Sequence, residues 1–378
     1  MAYLSRSPAQ DCLQLEGKSR HRSRAVAALV VALACRAVNP AVFVAAQDGA
    51  LLGLPAVQVP TDNPTTREKI DLGKKVFFDK RLSADGTVSC ASCHQPDLAF
   101  SDGMARSRGI GGRLGTRNAP TLLNAALMTT LFWDGRRTSL EEQVLDPFVN
   151  PAEQGLTDLA QLLSVIKADD AYQELFDSTF GTRSPSVTAR NVANALATYV
   201  RSLARGNSPF DRFYFAGDQT ALAPPAQRGF KLFMGRAQCV TCHEVGATAA
   251  TFTDQKFHSL HIGMDQIEGR LPELSMRAVA AKSGNPRPDA TVLSEEDISE
   301  LGRFFITLNP AEIGQFRTPS LRNVALTAPY MHDGSVGSLQ QAVEQEVYYR
   351  SAQTMRPIIL TPDEKMDLIE FLKSLSGS

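Results

Sequence analysis

The pentapeptides Cys90-Ala91-Ser92-Cys93-His94 and Cys239-Val240-Thr241-Cys242-His243 repeat one arrangement: two thiols a helical turn apart, followed at once by an imidazole. Such thiols add to the vinyl groups of haem as thioethers, and the histidine takes the proximal position on the iron. A single copy could be half of a zinc site or a redox dithiol. Two copies, in a chain whose only other cysteines are Cys12 and Cys35, point to two c-type haems. What faces each iron on the side away from its histidine then separates catalysis from electron carriage.

The elements that must hold these loops come in duplicate. Leu72–Phe78 precedes the first loop and Arg228–Met234 the second, each reading as a short amphipathic helix. Downstream, Pro120–Val144 aligns without a gap to Pro319–Val343, with an offset of 199 and ten identical positions. Both copies end in a capping box, Ser139 with Glu142 and Ser338 with Gln341. The second half carries an insertion around Gly246–Glu312. Periodic apolar patterns over Leu159–Ile166, Val192–Leu203 and Met366–Leu375 predict helices, the last entered through Thr361 and Pro362. Strand signals are sparse, and a linker is expected at Gly217–Pro225.

Composition narrows the setting. Residues 1–46 read as an export signal: Lys18, Arg20, Arg22 and Arg24, then the apolar run Ala25–Ala34, then small residues ending at Ala46. That run is too short to span a bilayer, so no stable membrane insertion is expected. Cys12 and Cys35 fall in this segment, which leaves no spare thiol for a disulfide. The remainder carries 33 basic and 38 acidic residues, which speaks against a nucleic-acid partner. Its length suits two domains, 60–216 and 217–378.

The order CASCH, AFSDG, RNAPTLLN, FWDGR, SLEEQ, NPAEQG, then CVTCH, FRTPSLRN, APYMHDG resembles the bacterial di-haem cytochrome c peroxidase and MauG superfamily over nearly the whole chain after residue 46. The resemblance implies an all-α fold of two cytochrome c-like domains, a peroxidatic haem in the first and an electron-transfer haem in the second. It also implies a calcium ion between them, carried over onto Asn118 and the carbonyls of Thr327 and Pro329. Classical members place a removable histidine ligand eight residues before the RNAP asparagine. Here that position is Ile110, and no histidine occurs between His94 and His243. The first haem is therefore expected to be five-coordinate, high-spin and open to hydrogen peroxide, as in MauG-like members.

Further roles follow from the same resemblance. Trp133 matches the inter-haem tryptophan. Gln143 and Glu153 stand at the spacing of the distal polar pair, where a carboxylate moves the peroxide proton. The second haem's other ligand is expected at Glu346, which the repeat pairs with Pro147; Tyr348 and Tyr349 are the alternatives, then Met355 or water. His332 aligns with Trp133 as a neighbour of the second haem, while His258 and His261 read as structural or propionate contacts. The expected activity is that of an exported, periplasmic peroxidase fed by a small cytochrome c or cupredoxin. Two rivals stand beside it: a MauG-like oxidase acting on Trp or Tyr of a partner protein, and a non-enzymatic di-haem electron carrier.

Overall fold

In the helix Arg67–Phe78, Lys69, Leu72, Gly73, Val76 and Phe77 are buried at the three- and four-residue spacing of a helix stripe. The Thr66 hydroxyl accepts from the backbone N–H of Lys69 and starts that helix. A computed structural model describes residues 51–182, 185–284 and 295–377. In it this stripe packs on the helix Ala189–Arg201. Gly73 stands at the crossing, where a Cβ would lie 2.0 Å from the Ala195 carbonyl oxygen. Only glycine lets the two backbones meet there. The second half repeats the device: Pro224–Met234 crosses Pro362–Lys373, and a Cβ on Gly229 would lie 1.9 Å from the Asp367 carbonyl oxygen.

The expected elements form. Leu159–Ile166 lies within the helix Leu159–Lys167, and Val192–Leu203 begins within Ala189–Arg201. Thr361 and Glu364 make the reciprocal box that opens Pro362–Lys373. Ser338 and Gln341 do the same for Leu339–Thr354, while the Ser139 hydroxyl accepts from the Glu142 N–H. The linker region is a turn in which Asp218 accepts from Thr220 N and Leu222 is buried, ahead of the helix at Pro224. Strand among the described residues is confined to Phe257–His258 paired antiparallel with Phe316–Arg317 and a few isolated bridges.

The internal repeat holds in backbone geometry. Asn124 and Asn323 both sit in the left-handed region, with φ of 62° and 61°. Their side-chain oxygens accept from Arg205 N and Gly377 N, tying each repeat to the segment just past a later helix, Ala189–Arg201 in one half and Pro362–Lys373 in the other. Leu131 bridges to Arg137 and Tyr330 to Val336, so the same tight loop presents Trp133 in one copy and His332 in the other.

One apolar cluster runs from Leu72 to Leu203 and another from Phe210 to Leu375. The insertion builds a third between Met264 and Phe305. No helix among the described residues is long and apolar enough to cross a membrane. The segment read as an export signal, with Cys12 and Cys35, lies outside the described residues.

Candidate active site and haem-binding cavities

The first cysteine pair lies on the short helix Cys90–Cys93, started by Ser89, with His94 just past its end. His94 Nδ1 is 3.0 Å from the Phe100 carbonyl oxygen, and His243 Nδ1 is 2.9 Å from that of Phe252. Both phenylalanines hold positive φ, 57° and 53°, which turns their carbonyls toward the rings. This is local strain at a working position. A carbonyl can only accept, so each Nδ1 carries the proton and each Nε2 is left to bind a metal. Burial lowers both imidazoles' basicity, pushing His243 down to about 4. The neutral rings that iron ligation requires are therefore present, with two thiols beside each. The residues fit two c-type haems.

Cys90, Cys93 and His94 share a cavity with Gln143, Pro147, Glu153 and Gln154. The Glu153 carboxylate accepts from Asn150 Nδ2. Burial of the carboxyl raises its pKa above the ordinary range, and the charge of Arg136 offsets part of that rise. Ile110 lies behind Glu153: its N–H donates to the Glu153 carbonyl at 2.9 Å, and its side chain fills the space next to Gly155. Met104 is exposed and does not line the cavity.

Cys239, Cys242 and His243 share a second, larger cavity with Glu346, Trp133, His258 and His332. Burial pushes the Glu346 carboxyl up to about 7, against the opposing charges of Arg350 and His258. Tyr348 is exposed, Tyr349 stacks on His261 away from the cavity lining, and Met355 is exposed at the helix end. Positions 147 and 346, paired by the repeat, thus occupy matching walls of the two cavities. Trp133 lines the second cavity, and its Nε1 donates to the Asn118 carbonyl at 3.0 Å.

Asn118, Thr327 and Pro329 line that cavity as well. Asn118 Nδ2 donates to the Met104 carbonyl at 2.8 Å, so Oδ1 is its atom available as a ligand. An amide oxygen with two backbone carbonyls suits calcium. By contrast, Cys242, Asp254 and His258 bring ligand atoms within 4.8 Å of one another, yet thioether formation would remove the thiolate such a metal site needs.

Three features escaped the sequence reading. Gln154, 3% exposed, sends its Nε2 toward Cys90 Sγ while its Oε1 has no partner. Only its place beside Glu153 could have flagged it. His332 Nε2 meets Glu300 Oε2 at 2.7 Å, both buried, and no local pattern in the insertion marks Glu300. Asp134 is fully buried between Arg117 and Arg136, at 2.8 and 2.9 Å. Its duplicate Asp333 lacks arginines at the matching positions, Phe316 and Ser335 standing there instead.

Residues 67–220 match the family model for di-haem cytochrome c peroxidase. The chain is 37% identical over 366 residues to the cytochrome-c peroxidase IdrP1 of Pseudomonas sp. strain SCT, covering 93% of this chain and 91% of that one. It is 37% identical over 329 residues to methylamine utilization protein MauG of Methylorubrum extorquens, covering 85% and 82%. Among solved structures, a MauG-like protein associated with microbial copper homeostasis superposes with a TM-score of 0.68 at 32% identity, covering 86% of this chain and 94% of that one.

Proposed function

The chain belongs to the di-haem cytochrome c peroxidase family of oxidoreductases, and from that premise we propose an exported, periplasmic peroxidase with one iron open to hydrogen peroxide and the other closed by Glu346. The observation that carries this reading is the duplicated position 147/346. Pro147 offers the first cavity nothing that can coordinate iron, whereas Glu346 offers the second a carboxylate. In this reading residues 60–216 make the peroxidatic domain and 217–378 the electron-transfer domain.

Two c-type haems, held by Cys90, Cys93 and His94 and by Cys239, Cys242 and His243, would supply redox-active iron in each cavity. The chain's own residues do the rest. Glu153, oriented by Asn150, would accept a proton from hydrogen peroxide and return it to the departing oxygen, which leaves as water. Gln143 lies on the same wall and positions the substrate by hydrogen bonding. Trp133, fixed through its indole N–H, relays an electron between the cavities. Asn118, Thr327 and Pro329 would hold a calcium ion beside Trp133. Glu346 would offer the second haem an oxygen donor, which suits higher oxidation states better than a thioether would. Reducing equivalents arrive at the surface from a small cytochrome c or a cupredoxin.

Azide titration of the ferric protein tests the asymmetry. The native protein should bind azide at one iron, and Glu346→Ala at both. Two sites in the native protein, or one in the variant, would overturn the reading. A second reading, an oxidase that modifies Trp or Tyr of a partner protein, draws on the 37% identity to MauG. Rapid steady-state peroxide turnover with reduced cytochrome c supports the peroxidase. Peroxide consumption that depends on a protein substrate supports the oxidase.

A further inference from the structure

Deeply placed arginines in this fold meet carboxylates. Arg117 and Arg136 reach Asp134 at 2.8 and 2.9 Å, Arg201 reaches Glu141 at 2.6 Å, and Arg322 reaches Asp211 at 2.9 Å. Arg317 is equally deep, 7% exposed, and makes no ion pair among the described residues. Its Nε lies 3.4 Å from the Phe132 carbonyl oxygen, and its Nη1 lies 3.1 Å from Met128 Sδ and 3.4 Å from the Thr318 carbonyl oxygen. These are weak acceptors or long contacts. The carboxylate that reaches it electrostatically, Asp134, is already shared by Arg117 and Arg136. Two guanidinium groups thus occupy Asp134, and Arg317 is left with no carboxylate in contact among the described residues. A buried cation left in that condition is costly, so a further anion is called for.

The place where that anion must sit is restricted. Arg317 lines the cavity of Cys239, Cys242 and His243 alongside Trp133. Its backbone N–H donates to the Trp133 carbonyl at 2.8 Å, so the arginine and the tryptophan loop are held together. We infer that Arg317 is the anchor for a propionate of the second haem, gripping that carboxylate through its planar fork and fixing the haem edge against the Trp133 loop. Covalent attachment through the cysteines leaves both propionates of a haem unsatisfied, and a guanidinium matches a carboxylate in charge and in geometry. The repeat makes the device one-sided, because the counterpart of Arg317, 199 residues earlier, is the uncharged Asn118. Arg317 is a positioning residue in this role.

This inference rests on the haem reading of the second cavity, and its test separates the two. Haem stoichiometry comes first: a protein carrying a single haem defeats the underlying reading itself. With two haems present, the reduction potential and the resonance Raman propionate-bending mode of the second haem are measured in the native protein, Arg317→Gln and Arg317→Lys. Loss of the positive charge in Arg317→Gln should lower the potential and move the mode. Arg317→Lys should keep the potential near the native value and still move the mode, because an ammonium cannot reproduce the bidentate grip. An unmoved mode in either variant overturns the propionate contact, even where the potential shifts. Should Arg317→Gln fail to load its second haem, Arg317→Lys decides by the same mode.

Discussion

At the scale of single residues, Glu153 is where burial and function meet. Its carboxyl is raised by desolvation, so the ionised base is lost at a higher pH than for an ordinary glutamate near ~4.3. The rate of the peroxide reaction should therefore fall as pH drops through that raised value and level off above it. Glu153→Gln should remove this acid limb and slow the reaction by roughly 100-fold or more, the span usual for general acid–base groups. Stopped-flow mixing with peroxide across pH checks both, and an unchanged rate would make Glu153 a bystander. Residue identity was readable here before any coordinates: the family resemblance, through the spacing from Trp133, pointed to Gln143 and Glu153, and both line the first cavity. Gln154, next to Glu153 and more deeply buried, was not readable, because nothing in a linear pattern says that two consecutive residues both face the cavity.

At the scale of elements, the helix pairs decide whether the haem loops are held in place. Gly73→Ala and Gly229→Ala would each press a methyl group against a carbonyl oxygen of the partner helix. Overpacking of this kind costs roughly 1–3 kcal/mol or more. Both variants should show lowered thermal midpoints with the coordination of the neighbouring haem loosened, measured by circular dichroism and by the Soret band. A change confined to the scan's noise would show that the backbones can part without penalty. These helices were legible from apolar spacing and, for Pro362–Lys373, from Thr361 and Pro362, because such signals act within one or two turns. The crossing role of Gly73 and Gly229 was not, although the repeat aligned them, since a close approach is a property of two segments far apart in sequence.

At the scale of the whole molecule, the buried frame around Asp134 joins the halves to the insertion. Arg117 binds both Asp134 and Ser299, and Arg303 donates to the carbonyls of Asp134 and Gly135. Asp134→Asn leaves Arg117 and Arg136 without their carboxylate, a loss of roughly 3–5 kcal/mol for a broken buried pair. Denaturant unfolding should show that loss, together with slower electron transfer between the haems as the Trp133 loop loosens. Stability within about 0.5 kcal/mol of native would mean that water or a propionate takes over the charge. The insertion itself was visible only as extra length between Cys239 and Pro319. Its structural purpose, supplying Ser299, Glu300 and Arg303 to the centre, appears once those residues are seen beside Arg117, His332 and the Trp133 loop.

The linear chain by itself determined the haem chemistry, the duplication and the helical character, because cysteine spacing, repeat offset and apolar period are local and survive without coordinates. It also named Glu346 and two tyrosines as rivals for the second cavity without separating them. The tertiary structure set Glu346 on the cavity wall and turned Tyr348 outward, because residues two apart on a helix point about 200° apart. It alone exposed the shortage of negative charge around Arg317. Charge balance in an interior depends on which side chains are brought within a few ångströms of one another, and that is decided by packing rather than by order along the chain.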